Sequence, residues 1–399
     1  MYETLNEQPF KLIAFVHILA DCNMITIRFN IRYIFRIIFF FVVTFHNKCV
    51  AWTINQHQHQ HQQSLKRETQ YLQSKYCPYA MEAESFVRWD SSDDMTWIWN
   101  NMKVNFKFVP QKYIDTYTDT HEGVARIPPV ILFIHGFGSS SFHWRHNMHP
   151  LSQYHDVYAI DLIGFGKSDK PLHNNYTVSF WRYQVEQFID EVIQRPTIIV
   201  GNSLGGYVAT LASRHPNVIE TILLNPYVEF NENMDVDEYG SHDNIKKTKL
   251  QNIANTINTR IMSLITKLCL IAIQDGKYIR KTLQHLYARN GNNVDDELVL
   301  SIIEPTKSHN TTDALCQMIK SFTQKSEKLD TTGYFQKSNK PLLLIWGVRD
   351  VWLDMSIAKS IQSLKRENIT TRYVNAGHCP QDEVPQEVNA IIKTYLQRD

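Results

Sequence analysis

Cysteine is scarce in this chain of 399 residues. The six present (Cys22, Cys49, Cys77, Cys269, Cys316 and Cys379) are widely scattered, with no Cys-x-x-Cys pair. That spacing argues against a zinc site and against a disulfide scaffold, and no motif asks for a metal or a cofactor. An excess of one charge is also lacking. A net charge of +1, with 20% charged residues, leaves no basic face for nucleic acid and no acidic tail. Residues 37–45 form a nine-residue apolar run, shorter than the roughly 20 residues that cross a bilayer. The length suits one large domain with an added cap better than several independent modules.

The N-terminal part reads as an address. Arg28, Arg32 and Arg36 precede the apolar run and Cys49-Val50-Ala51 follow it, in the order of a secretory signal peptide. Met24 is a more natural start than Met1, because it leaves a compact basic segment ahead of that run. Trp52, followed by residues 53–67 with hydroxyls, glutamines, Lys66 and Arg67 but no acid, resembles the bipartite presequences of algae with secondary plastids. The expectation is a targeting segment over residues 1–51 and a transit-like linker over 52–88, delivering the protein to a plastid. Plain secretion, an endomembrane location and a membrane anchor are the alternatives. His57, His59 and His61 alternate with glutamine. With nothing apolar to bury, that tract reads as a flexible linker sooner than a metal site.

Folded sequence is expected from about Trp89. Two alternating, aromatic-rich runs around Asn100-Asn101 predict an antiparallel hairpin. Short apolar runs at 130–135, 157–161, 198–201, 221–225, 342–346 and 371–374 then alternate with helical patterns at 178–194 and 384–395. This predicts an α/β fold: a mostly parallel sheet, its strands covered on both faces by helices. The alternation breaks over residues 227–340. There a polar, acidic stretch (229–243) leads into helical spacing at 250–268, 279–286 and 315–322. The expected division is a core over 89–226 and 341–399, interrupted by a helical cap over 227–340.

Gly201-Asn202-Ser203-Leu204-Gly205 lies between an apolar, β-branched run and a helical pattern. It fits a nucleophile elbow, a strained strand-to-helix turn that exposes a serine hydroxyl. A β-carbon at position 201 or 205 would crowd that turn. A serine hydroxyl needs a base within hydrogen-bond reach. Asp350 and His378 follow the last two expected strands, at the carboxyl ends where an open α/β sheet places its site. His378 is therefore the expected base and Asp350 its orienting acid. Asp354 competes with Asp350 but reads better as a helix-start residue. The oxyanion donors are expected to be the amides of Leu204 and Phe137, with Gly136 and Gly138 letting the backbone approach closely. His135 reads as a brace of that loop. Cys379 is a remote candidate for a thiol nucleophile.

Together these residues are identified with the α/β-hydrolase superfamily, from Trp97 to Leu396. Three segments resemble pheophytinases and their plant, algal and cyanobacterial relatives. They are Gly201 through Ala209, Ala376-Gly377-His378-Cys379-Pro380-Gln381-Asp382-Glu383-Val384-Pro385, and Trp181-Arg182-Tyr183-Gln184-Val185 leading into residues 188–193. The resemblance implies a hydrophobic carboxylic ester as substrate, such as the phytyl ester of a chlorophyll derivative, and is compatible with transient membrane association. His135 stands where pheophytinases usually carry proline, which leaves the ester open. The alternatives are a carbon–carbon bond hydrolase with the same three residues and a non-catalytic, membrane-tethered binding protein. Epoxide hydrolases and dehalogenases fit less well, because they need an aspartate where Ser203 stands.

Overall fold

The computed structural model describes residues 94–112, 128–172, 176–228, 274–323 and 331–397. The expected targeting segment, the linker, the polar stretch at 229–243 and the helical spacing at 250–268 lie outside the described residues.

Strands β1 (Asp94–Trp99) and β2 (Met102–Val109) form the expected hairpin. Its two-residue turn, Asn100-Asn101, has φ of 48° and 62°, and asparagine tolerates such left-handed values better than most residues. Six further strands follow: β3 (Val130–Ile134), β4 (Val157–Ile160), β5 (Thr197–Asn202), β6 (Val218–Leu224), β7 (Leu342–Gly347) and β8 (Ile369–Val374). The sheet order is β1-β2-β4-β3-β5-β6-β7-β8. It is antiparallel through the β2–β4 pairing and parallel from β4 to β8. The apolar runs are strands, as expected, with ends moved by a few residues.

Buried residues alternate between the two faces of the sheet. Val130, Leu132 and Ile134 of β3 join one cluster, with Trp181 and Val185 of α2 (Val178–Phe188) and Val208 of α3 (Leu204–Ala212). Ile131 and Phe133 join the other, with Met148 of the short α1 (Met148–Leu151) and Val388 and Ile392 of the C-terminal helix Pro385–Leu396. This is the doubly covered sheet that unbroken apolar strands require. The helix expected over 178–194 is α-helical only to Phe188 and continues as a π-turn over Ile189–Ile193.

Between β6 and β7 the described residues are helical: α4 (Gly276–Leu286), α5 (Asp296–Thr306), α6 (Thr311–Thr323) and α7 (Thr331–Lys337). Helix α5 is not among the helices expected from the sequence; Asp295 is its N-cap, accepting from the Leu298 amide at 2.8 Å. Between β7 and β8 runs α8 (Ser356–Ser363), and the short α9 (Pro380–Glu383) precedes α10 (Pro385–Leu396).

Phe133 is fully buried and stacks on Trp144, with ring centroids 4.4 Å apart. Phe133→Ala is expected to cost about 3–5 kcal/mol in urea unfolding, the usual range for emptying such a site. A loss below ~1 kcal/mol would mean that this face is not closely packed.

Candidate active site

Ser203 lies between β5 and α3 with φ 54° and ψ −118°, a conformation that costs a non-glycine residue energy and persists only where its surroundings impose it. Those surroundings are backbone. The Ser203 amide donates to the carbonyl of Leu224, at 3.2 Å, and its carbonyl accepts from the amides of Tyr207 and Tyr227. The turn is so tight that a β-carbon on Gly201 would lie 2.3 Å from the Gly205 carbonyl oxygen. One on Gly205 would lie 2.2 Å from the Ile134 carbonyl oxygen, so both positions exclude every side chain, as expected.

Two other loops converge on this turn. Gly136, after β3, packs against it, since a β-carbon there would stand 3.2 Å from Ser203 Cβ. The loop after β8 reaches it through Asn202, whose Nδ2 donates to the carbonyl of His378 at 3.1 Å and to that of Leu224 at 3.0 Å. The residue next to Ser203 therefore grips the backbone of His378.

The His378 ring is held from behind by Asp350, with Nδ1 and Oδ2 2.7 Å apart. Asp350 is nearly fully enclosed and accepts three further hydrogen bonds. Asn225 Nδ2 reaches Oδ2 at 2.7 Å, and the amides of Trp352 and Leu353 reach Oδ1 at 2.7 and 3.0 Å. Burial pushes its carboxyl up, but the charge and hydrogen bond of His378 and the two amides outweigh burial and hold it below the usual carboxylate range. Asp350 is thus an ionised acceptor, and Nδ1 of His378 carries a proton. Nε2 is buried and makes no hydrogen bond with any described residue. Asp354 instead accepts from the Ser356 amide at 2.7 Å, at the start of α8.

The loop holding Phe137 is fixed by two buried groups. His135 Nε2 accepts from the Leu162 amide at 3.1 Å, so its proton sits on Nδ1, 2.7 Å from the Gly136 carbonyl. Burial lowers its pKa against the pull of Asp161, so the ring is a neutral brace. Asp161 accepts from the backbone amides of Ser141 and Lys167 at 2.6 and 2.8 Å and from Asn105 Nδ2 at 2.9 Å. Gly138 has φ 72° and open space around it, so its role is backbone conformation and not the close approach expected of it. The Leu204 amide opens α3, where first-turn N–H groups lack intrahelical partners.

The Phe137 ring packs edge-on against Phe165 and against Phe322 of α6, at 5.4 and 6.0 Å. Cys379 is buried, its thiol pushed up by burial and by Asp382, so it is held as a thiol and not a thiolate. Among the described residues no cluster could hold a metal ion, and no helix is long and apolar enough to cross a membrane.

Asn202, Asn225 and Asp161 hold the loops of the candidate site and are not among the residues expected from the sequence. The available signal was positional, because Asn202 precedes the elbow serine and Asn225 ends the neighbouring strand. The partners named here lie 20 to 176 residues away in the chain.

Residues 131–391 match the model of the Alpha/beta hydrolase family. The chloroplastic pheophytinase of Arabidopsis thaliana is 27% identical over 308 residues, 67% of this chain and 61% of the relative. This chain thus spans about 61% of that relative's length. Epoxide hydrolase 3 of Xenopus tropicalis is 26% identical over 285 residues, 68% of this chain and 72% of the relative. A solved serine hydrolase involved in carbazole degradation shares the fold, with a TM-score of 0.56 and 17% identity over 76% of this chain and 98% of its own.

The lowered pKa of Asp350 makes a signed prediction. A carboxyl with a depressed folded pKa contributes stability above the ordinary carboxylate range and loses it as pH falls through the folded value. Asp350→Asn is expected to cost about 1.5–3 kcal/mol at neutral pH. The gap between the two proteins' melting temperatures should narrow as pH falls toward about 3. A gap that does not depend on pH would contradict the ionised, paired carboxylate.

Proposed function

This chain belongs to the alpha/beta hydrolase family, and on that premise we propose that it is a serine hydrolase of hydrophobic carboxylic esters. One arrangement carries the reading: a serine on a strained elbow, gripped through Asn202 to the backbone of a histidine whose ring is paired to a buried carboxylate. Ser203 Oγ attacks the ester carbonyl while His378 Nε2 takes its proton. Asp350 keeps the other ring nitrogen protonated and stabilises the imidazolium. The amides of Phe137 and Leu204 receive the oxyanion. His378 then returns the proton to the departing alcohol, and water attacks the acyl-enzyme by the same route in reverse.

A serine at position 203 favours this chemistry over that of the epoxide hydrolases and dehalogenases that share the fold, since those need an aspartate there. The helical insert between β6 and β7 serves as a cap. Phe322 and Met318 of α6 bring apolar surface to Phe137 and Gly164 beside the elbow, which suits an apolar substrate. The likeness to a chloroplastic pheophytinase supports a phytyl-type ester and a plastid location. A carbon–carbon bond hydrolase is the second reading, favoured by the same serine, acid and histidine with Gly201-Asn202 before the nucleophile.

Wild type and Ser203→Ala should be compared on pheophytin, on p-nitrophenyl esters of increasing chain length and on a ring-cleavage diketone. The expected outcome is ester turnover by wild type, preferring bulky apolar substrates, and a loss of about 10⁴-fold or more in the variant. Full activity in Ser203→Ala would overturn the assignment. A preference for the diketone would select the second reading.

A further inference from the structure

His378 lies between the end of β8 and the start of α9, in a loop with no strand or helix of its own. Its backbone carbonyl is held by Asn202. Its backbone amide is held by the helical insert, donating to the carbonyl of Leu286, the last residue of α4, at 3.2 Å. The contact is close enough that a β-carbon on Gly377 would fall 1.8 Å from that same oxygen. The insert therefore touches the backbone of the base directly.

The next residue, Tyr287, is 2% exposed, and its phenol joins two segments that are distant in sequence. Its hydroxyl lies 2.6 Å from Oδ2 of Asp382 in α9, the short helix that follows His378, and 2.9 Å from Nε2 of His143, in the turn after Phe137. The proton positions follow from the partners. Asp382 is paired to Arg145 Nε at 2.9 Å and, as a carboxylate, can only accept. The phenol therefore donates to Asp382, and its lone pair accepts from His143 Nε2. Burial lowers the His143 pKa to about 4, so the ring is neutral with its proton on Nε2.

We propose that Tyr287 is a positioning residue for the histidine base. Its phenol ties α9, directly after the His378 loop, to the turn after Phe137 and makes seating of the insert a condition of catalysis. The inference rests on the serine-hydrolase reading above. Arg145 extends the tie, because its Nη1 pairs with both oxygens of Asp295, the N-cap of α5, at 2.8 Å. Glu383 adds a second one, accepting from the Asn290 amide at 3.0 Å and from the amides of Arg289 and Gly377. A displacement of residues 286–295 would thus carry His378 with it. Truncating the phenol leaves a buried donor on His143 unpaired and leaves Oδ2 of Asp382 with only the longer contact from Arg145 Nη2, at 3.3 Å, so the neighbouring segments must shift to relieve them.

The test compares three variants of the full chain: Tyr287→Phe, which keeps the ring; His143→Leu, which removes the donor to the phenol; and His143→Gln, which restores an N–H donor. Each is measured for ester turnover, for the rate of Ser203 labelling by a fluorophosphonate and for melting temperature. Tyr287→Phe and His143→Leu should each lose about tenfold or more in kcat, with KM changed less than about threefold. Labelling should slow by a similar factor, and His143→Gln should recover most of both rates. Lowered melting temperatures with wild-type kcat and labelling in the folded variants would make the tie structural only and overturn the proposal. If Tyr287→Phe fails to fold, the two His143 variants decide alone. A wild-type protein that the fluorophosphonate does not label would overturn the serine-hydrolase reading and this inference with it, whereas equal labelling of wild type and variants overturns only the inference.

Discussion

The backbone crossing at Gly201 and Gly205 is the constraint on which the remaining structure depends. Strand β5 must end and α3 must begin within one residue, and the carbonyl of Gly205 then passes where a side chain on Gly201 would be. Ser203 is left at a positive φ that its own side chain disfavours. That strain holds only because β5 is pinned between β3 and β6 and is buried along its whole length. The sheet interior is in this sense the support for a single half-buried serine. The hairpin at the sheet's edge, the two apolar clusters and the covering helices all serve to keep β5 from relaxing.

The loops around the elbow are held differently. A strand has its ladder and a helix its i→i+4 bonds, but the segments carrying Phe137, Asp350 and His378 have neither. Buried amide and carboxylate side chains replace the ladder there. Asn202 holds His378, Asn225 holds Asp350, Asp161 holds the turn at Ser141, and Glu383 holds Gly377. Each of these side chains serves backbone groups or a candidate-site side chain that would otherwise be buried with fewer partners, a costly condition. A polar, fully satisfied set of contacts also selects one geometry more sharply than apolar packing does. The same logic extends into the insert through Asp382 and Tyr287, so the boundary between core and insert is polar on the side of the histidine and aromatic on the side of Phe137.

Much of this was legible in the chain, for local reasons. Asn100-Asn101 between aromatic runs marks a two-residue hairpin turn because few other residues tolerate φ above zero. The apolar strand runs stand out because strands covered on both faces have no solvent side to carry polar residues. Ser203, Asp350 and His378 could be nominated because each follows a recognisable strand, and the structure brings Asp350 and His378 within a hydrogen bond. Asn225, Asp161 and Tyr287 could not. An asparagine at a strand end or a tyrosine after a helix has nothing local to distinguish it, and the meaning of each lies in a partner far along the chain. Gly138 shows the converse limit, since its glycine identity was visible while the reason, a positive φ and not a close approach, was not.

The sequence by itself determined the periodicities, the glycines at the crossing and the residue types able to move a proton, because these depend on near neighbours and on chemistry intrinsic to each side chain. Only the tertiary structure decided which carboxylate faces His378, which tautomers His135 and His143 adopt, and which residues hold the loops of the candidate site in place. Those depend on distances between segments that only the packed sheet brings together. A hydrogen bond exists or fails within a few tenths of an ångström, and no pattern along the chain encodes that tolerance.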